Sequence, residues 1–212
     1  MTVRPLPSTT VARLPGYLRS LGGLASEGAH TVSSDQLADL VGVSPAQLRK
    51  DLSYLGAGGR RGVGYEVDGL RRQIAQVLGM TEERRLVIVG IGNLGHALAT
   101  YSGFADRSFE LVGLVDTDPA VVGTTVAGHV VRHASELEQV VAEGAATIAI
   151  LTTPASAAQQ TADRLVAAGV SGILNFAPRT VRVPDDVEVR EVDLGSELQI
   201  VAFHARRLSA EN

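Results

Sequence analysis

The sequence predicts an α/β protein in two parts, with one helix left over. Three observations predict it. The stretch LVIVGIGNLG at 86–95 runs from an apolar strand through a glycine turn into a helix start. Downstream of it, short apolar runs alternate with helical stretches, the pattern of a doubly wound parallel sheet. Upstream, two short capped helices joined by a tight turn lead into a glycine-rich basic segment, the pattern of a winged helix-turn-helix. The expected organisation is a winged-helix domain over residues 1–80, a dinucleotide-binding domain over residues 85–195, and a C-terminal helix over residues 196–212.

Composition supports two parts with different partners. The 212 residues carry a net charge of −4. Residues 1–79 hold nine Lys/Arg against six Asp/Glu, a net +3, and the remainder holds ten against seventeen, a net −7. No cysteine is present, which excludes disulfides, a thiol nucleophile and a thiolate metal site. No signal peptide or bilayer-length apolar run is legible, so a cytoplasmic protein is expected.

Taken in order, residues 1–10 are rich in proline and threonine and read as a disordered arm. From Val11 to about Glu27, Leu14, Tyr17, Leu18, Leu21 and Leu24 recur at helical spacing. Ser33 followed by Gln36 is a capping-box pattern and opens a second helix, with Leu37, Leu40 and Val41 as its buried stripe. Gly42 and Val43 turn the chain. Ser44, Pro45 and Gln47 then open a third helix, which buries Leu48, Leu52 and Leu55 and presents Arg49, Lys50 and Ser53 on its other face. Lys50 is the only lysine in the chain. The glycine-rich segment at 56–67 carries Arg60 and Arg61 and reads as a wing. Residues 68–79 form a helix, and residues 80–85 a linker.

In the second part, Gly90 suits a tight turn, Gly92 a close backbone approach to a pyrophosphate, and Gly95 close packing of helix on strand. The free N–H groups of that helix start suit phosphates. The next strand, from Phe109, ends in Asp116, placed to grip a ribose 2′-hydroxyl. Strands follow at 130–131, 147–151, 172–176 and 187–192. Thr153 is expected to cap a helix with Pro154 at its first position. The strands' carboxyl ends, where ligands of such sheets bind, then carry Gly90, Asp116, Thr152, Thr153, Pro154, Asn175 and Asp193. With Asn93 and Leu94 from the glycine turn and Tyr101 from the end of its helix, these are the expected nucleotide contacts. Residues 196–209 make an amphipathic helix (Leu198, Val201, Ala202, Leu208) that a completed sheet does not need.

Five stretches, RKDLSYLG at 49–56, RGVGYEV at 61–67, VGIGNLGHAL at 89–98, GILNFAP at 172–178 and VDLGSELQ at 192–199, make the chain resemble the Rex family of NADH-sensing transcriptional repressors over nearly its full length. The resemblance implies a homodimer that binds palindromic operator DNA through winged helices and is released when NADH, rather than NAD⁺, binds. It also implies that the C-terminal helix exchanges between protomers. It places Arg49, Lys50 and Ser53 at DNA, with Arg13, Tyr54, Arg60 and Arg61 completing the expected set. Arg19, Tyr101 and Asp193 become the switch, with a Tyr101–Asp193 hydrogen bond in the NADH-bound state and an Arg19–Asp193 pair in the DNA-bound state. The chain departs from the family at Gly58, a wing position where relatives often carry an aromatic.

Two other readings compete. An NAD-dependent oxidoreductase needs a proton donor beside the substrate, yet none of His30, His129, His133 and His204 falls at a strand's carboxyl end, and His96 sits on the glycine-turn helix. A sensor of another nucleotide, such as coenzyme A, keeps the fold but does not need Asp116. No His or acid cluster has metal-ligand spacing. The expectation is therefore a sensor without catalytic residues or metal.

Overall fold

The computed structural model describes residues 6–60 and 62–210, and the side chains of all these except 207–210. The chain divides into two compact units, Met1–Glu82 and Glu83–Asn212.

The first unit consists of α1 (Ser8–Ser26), β1 (Thr31–Val32), α2 (Ser34–Val41), α3 (Pro45–Tyr54), β2 (Tyr65–Glu66) and α4 (Val67–Val77). Both predicted caps form: Ser33 Oγ accepts from the Gln36 amide at 3.0 Å, and Ser44 Oγ from the Gln47 amide at 3.1 Å. Gly42, at φ +71°, closes α2 and leaves only a short turn before α3. Leu14, Tyr17, Leu21, Leu37, Leu48, Leu52 and Ile74 form the core. Burying each of these side chains contributes roughly 1.5–3 kcal/mol.

Four expectations change in this unit. Helix α1 begins at Ser8 instead of after residue 10, because Thr10 is drawn into the interior. Leu40 is exposed, and Ala38 takes its place beside Leu37. The two-residue strand β1 is too short to show periodicity; it pairs antiparallel with β2. Val67 starts α4 where a strand end was expected, since Glu66 caps that helix by accepting from the Gly69 amide at 2.5 Å.

The second unit is a seven-stranded sheet: β3 (Arg84–Val89), β4 (Phe109–Asp116), β5 (Thr125–Val126), β6 (His129–His133), β7 (Ile148–Leu151), β8 (Gly172–Asn175) and β9 (Glu188–Glu191). Their order is β5-β6-β4-β3-β7-β8-β9, with every neighbouring pair parallel except β5–β6. Helices α5 (Asn93–Ala99), α6 (Leu137–Gly144) and α7 (Ala155–Ala167) connect them, and α8 (Leu194–Ala210) follows.

Strand β3 is central, and its alternation fills two cores. Val87 and Val89 join Leu137, Val140, Val141, Ala158, Ala162 and Leu165 of α6 and α7. Leu86 and Ile88 join Ile91, Ala99, Leu114, Val131 and Ile150 in the other. A strand buried on both sides must be apolar at successive positions, which is why residues 86–89 read as an unbroken run. Strand order reverses between β3 and β7, so the crevice beyond their carboxyl ends is the place for a ligand.

Ala145 ends α6 with φ +47°, a conformation that suits glycine. Ala145→Gly should raise the unit's stability by about 0.5–1 kcal/mol, because relief of strain outweighs the entropy of a freer unfolded chain. Urea unfolding with an unchanged m-value measures it.

Candidate functional site

At the strand reversal, the three glycines meet three different demands. Gly90 has φ +96°, and a Cβ there would lie 2.8 Å from the Thr152 carbonyl oxygen. At Gly95 a Cβ would overlap the Gly90 carbonyl oxygen and come within 3.0 Å of Thr152 Oγ1. Gly92, the N-cap of α5, has open space where its Cβ would be. Two glycines therefore let β3, α5 and the β7 end approach one another, and the third keeps one side of the turn clear.

Thr152 and Asp116 tie this turn down. Thr152 Oγ1 donates to the carbonyl oxygens of Gly90, at 2.5 Å, and Val89, at 3.1 Å. Asp116 Oδ2 accepts from the Ile91 amide, while Oδ1 accepts from Thr117 N at 2.6 Å and Asp118 N at 2.8 Å. A carboxylate has about four acceptor sites, so one remains for a hydroxyl. The buried hydroxyl of Thr153 has no hydrogen-bond partner within the chain. It does not cap α7 as expected: Pro154 is the N-cap, with φ −57° and ψ 153°.

Further along the crevice's edge, a cavity of about 660 Å³ is lined by Leu94, Phe176, Arg179, Glu191, Asp193 and Leu194 among others. Asn175 is not on its surface. It is fully buried, donating to Glu191 Oε2 at 2.6 Å and to the Arg179 carbonyl at 2.8 Å, and accepting from the Ala177 amide at 3.0 Å. It shapes the 176–180 loop, whereas direct ligand contact was expected.

Asp193 caps α8. Its Oδ1 accepts from Gly195 N at 2.9 Å and Ser196 N at 3.3 Å, and its Oδ2 from Ser196 Oγ at 2.7 Å. The Ser196 hydroxyl and these amides hold its carboxyl below the usual range. The Tyr101 hydroxyl is not among its partners. The exposed Tyr101 ring lies over Gly103 and meets Phe104 edge-on at 5.2 Å.

In the first unit, α3 presents Arg49, Lys50 and Ser53 to solvent, as expected. Arg49 has only an exposed 4.0 Å contact to Asp35, and Tyr54 is half-buried. Arg60 lies on a tight turn, bonded backbone to backbone with Gly64 in both directions at 2.8 Å. Arg61 lies outside the described residues. At Gly58, where an aromatic was expected from the family resemblance, a Cβ would meet nothing within 4 Å, so close packing does not demand glycine there.

Arg13 was expected at DNA and is engaged elsewhere. It grips Asp51 with two bonds, from Nε at 2.7 Å and Nη2 at 2.8 Å. Asp51 also accepts from Thr10 Oγ1 at 2.9 Å, Tyr17 OH at 2.7 Å and Gln47 Nε2 at 2.9 Å. Sequence reasoning missed this cluster. Its one signal was an acid beside Leu52 on the buried side of α3. Burial raises the Asp51 pKa, but the Arg13, Tyr17, Thr10 and Gln47 donors outweigh it and bring it down to about 2. Burial and the neighbouring carboxylate push the Tyr17 phenol up to about 12. The Asp51 shift amounts to about 2 kcal/mol of stability, present above the unfolded-state pKa near 4 and lost as pH falls toward 2.

Among the described residues, no group of three or more His, Cys, Asp or Glu side chains could hold a metal, and no helix is long and apolar enough to cross a membrane.

Comparison with known proteins agrees with both units. A protein-family profile described as a putative DNA-binding protein N-terminus matches residues 5–53, and one described as a CoA binding domain matches residues 81–179. The redox-sensing transcriptional repressor Rex of Streptomyces griseus is 54% identical over 209 residues, covering 99% of this chain and 83% of that protein. The Rex of Desulfitobacterium hafniense is 45% identical over 204 residues, covering 96% and 97%. The chain belongs to the Rex family. RSP, a Rex-family repressor of known crystal structure, superposes with a TM-score of 0.90 at 34% identity, covering 98% of this chain and 97% of RSP. RSP has also been solved with β-NAD⁺ and operator DNA, and with β-NADH, at TM-scores of 0.90 and 0.89.

The glycines of this Rex-family chain separate folding from binding. Gly92→Ala should unfold within about 0.5 kcal/mol of wild type, since its Cβ meets open space, yet lose dinucleotide affinity. Gly95→Ala should lose both, with a stability cost of about 2–3 kcal/mol from forced overlap. Thermal melts and NADH titration of the two variants check this.

Proposed function

We propose that this chain is a redox-sensing transcriptional repressor in the cytoplasm. It binds palindromic operator DNA as a homodimer and leaves it when NADH occupies the second unit. The carrying observation is that the chain matches RSP, solved with operator DNA and with either form of NAD, across 98% of its length. It is a regulator and not an enzyme, as its Rex relatives are named repressors.

The residues present fit a dinucleotide. The cleared side of Gly92 and the amides of Asn93 and Leu94 would take the pyrophosphate, and the free acceptor site of Asp116 a ribose hydroxyl. Thr153 offers its unpartnered hydroxyl, and Thr152 and Pro154 complete that wall. When bound, the dinucleotide supplies a nicotinamide ring whose charge differs by one between its oxidised and reduced forms. The cavity beside it sets the apolar Leu94, Phe176 and Leu194 next to the charged Arg179, Glu191 and Asp193, so both a ring face and a ring charge would meet partners there.

Arg49, Lys50, Ser53, Arg60 and Arg61 are the proposed DNA contacts, with Arg49 the base reader and the others chiefly on phosphates. The switch residues are Arg19, exposed on α1, with Tyr101 and Asp193. Helix α8 is the proposed exchanged element, because Leu194, Leu198, Ile200, Val201 and Phe203 are all at least 52% exposed. A row of apolar side chains on that scale is covered by a partner in a stable protein.

Titrating NADH, NAD⁺, NADPH and coenzyme A into the operator-bound protein tests the reading. NADH should release DNA at far lower concentration than NAD⁺. Coenzyme A releasing it instead would favour the ligand in the profile's description. NADPH should bind more weakly than NADH, since its 2′-phosphate would face the Asp116 carboxylate. Asp116→Ala should weaken NADH and narrow that preference. Equal wild-type binding of NADH and NADPH would remove the role given to Asp116.

A further inference from the structure

Asp51 is the one carboxylate among the described residues that is fully buried. It lies on the helix that carries the exposed bases, and five hydrogen bonds from four side chains converge on it. Three of those side chains, Thr10, Arg13 and Tyr17, sit three and four residues apart on α1 and so share one face. Helix α1 packs chiefly along α4 and α2, and α3 packs on α2. The polar link between α1 and α3 therefore runs through this single carboxylate.

We propose that Asp51 is a positioning residue for operator recognition, fixing the roll of α3 about its own axis and thereby the direction in which Arg49 and Ser53 face. The geometry follows from the helix itself. At about 100° per residue, positions 49 and 53 lie about 160° from position 51 in opposite senses, so both sit almost diametrically across the helix from it. An apolar stripe such as Leu48 and Leu52 defines the roll of a helix less sharply, because hydrophobic contact is not directional. Five hydrogen bonds to one carboxylate define it more sharply, because each weakens steeply as its angle departs from linear. The cluster thus supplies a sharper angular definition than the leucines give, and a bidentate base contact needs that definition. Phosphate contacts made by flexible side chains do not need it.

The inference rests on the DNA-binding reading, and the experiment separates the two. The full-length protein is assayed by fluorescence anisotropy against a duplex that the wild type selects from a randomised pool, and against a scrambled duplex. Tyr17→Phe keeps the ring and removes one of the five bonds. Asp51→Asn disturbs all of them. Each is made with and without Arg49→Ala, and circular dichroism establishes that each is folded at the assay temperature. Tyr17→Phe should lower the selected-over-scrambled ratio by about 3- to 10-fold, and Asp51→Asn by more, with affinity for the scrambled duplex unchanged. Arg49→Ala should cost about 10-fold of that ratio in the wild-type background and under about 3-fold in the Tyr17→Phe or Asp51→Asn background. A purely structural role predicts additive effects instead. Additivity, or a folded Tyr17→Phe with the wild-type ratio, overturns the proposal, and Tyr17→Phe alone decides if Asp51→Asn does not fold. A wild type that selects no duplex overturns the DNA-binding reading and this proposal together. A wild type that selects one, with additive variants, overturns this proposal alone.

Discussion

The second unit depends on a backbone contact that any side chain would forbid. Gly95 sits against the carbonyl of Gly90, and the Thr152 hydroxyl bonds to that same carbonyl. Three elements, β3, α5 and the end of β7, thus meet at one oxygen atom. The consequence is positional. Because Gly90 and Gly95 absorb the close packing, the amides that open α5 stay uncovered at the point where strand order reverses. A helix start with free N–H groups attracts anions wherever it occurs. Here the sheet's topology adds a crevice, and Asp116 adds an acid at its rim. The acid has two duties, since three backbone amides bind it before any ligand does. The loop that would hold a nucleotide is therefore ordered in advance, and less binding energy is spent on fixing it.

The first unit solves a different problem by different means. Helices α2, α3 and α4 are short, at 8, 10 and 11 residues, and the longer α1 contains Pro15 along with Gly16, Gly22 and Gly23, all weak helix formers. Its structure rests on tertiary contact more than on propensity. Burying Asp51 in such a unit is costly unless the charge is paired and its remaining lone pairs are filled. Arg13 supplies the pairing, and Thr10, Tyr17 and Gln47 fill the rest. A buried ion pair of this kind is weak support for stability beside a well-packed apolar substitute. Its stronger effect is to exclude alternative settings of the helices.

What the sequence made legible follows the same division. The glycine turn, the parallel strands and both serine caps were readable, because each rests on residues close together in the chain: glycines two and three apart, apolar runs, a serine three residues before its partner amide. The details that escaped depend on contacts over long sequence distances. Thr10 and Asp51 are 41 residues apart, so the burial of Thr10 and the early start of α1 could not be seen locally. Arg13 was assigned to DNA for the same reason, since its partner Asp51 is 38 residues away. Asn175 was assigned to the ligand because strand ends usually point there, but its amide is held by Glu191 across the β8–β9 pair. Thr153 followed a sound capping pattern and still did not cap. Its extended neighbour Pro154 took that position and left the hydroxyl without a partner in the chain.

The proposed switch has an energetic requirement that bears on why a dimer is needed. Moving a two-state equilibrium from 1:99 to 99:1 takes roughly 5.5 kcal/mol of differential affinity between the states. A typical hydrogen bond nets roughly 0.5–1.5 kcal/mol, so no single bond suffices. In a homodimer whose protomers change state together, two ligands contribute to one equilibrium, and each needs to supply only about half of that difference. The exposed apolar face of α8 is the element that could enforce such joint behaviour, since a helix buried in a partner cannot move independently of it. Its cap is Asp193, the residue that also borders the cavity beside Leu94 and Phe176. One carboxylate therefore lies both at the edge of the proposed ligand site and at the start of the proposed dimer element. A change at the ligand is then one residue away from the helix that would carry it to the second protomer.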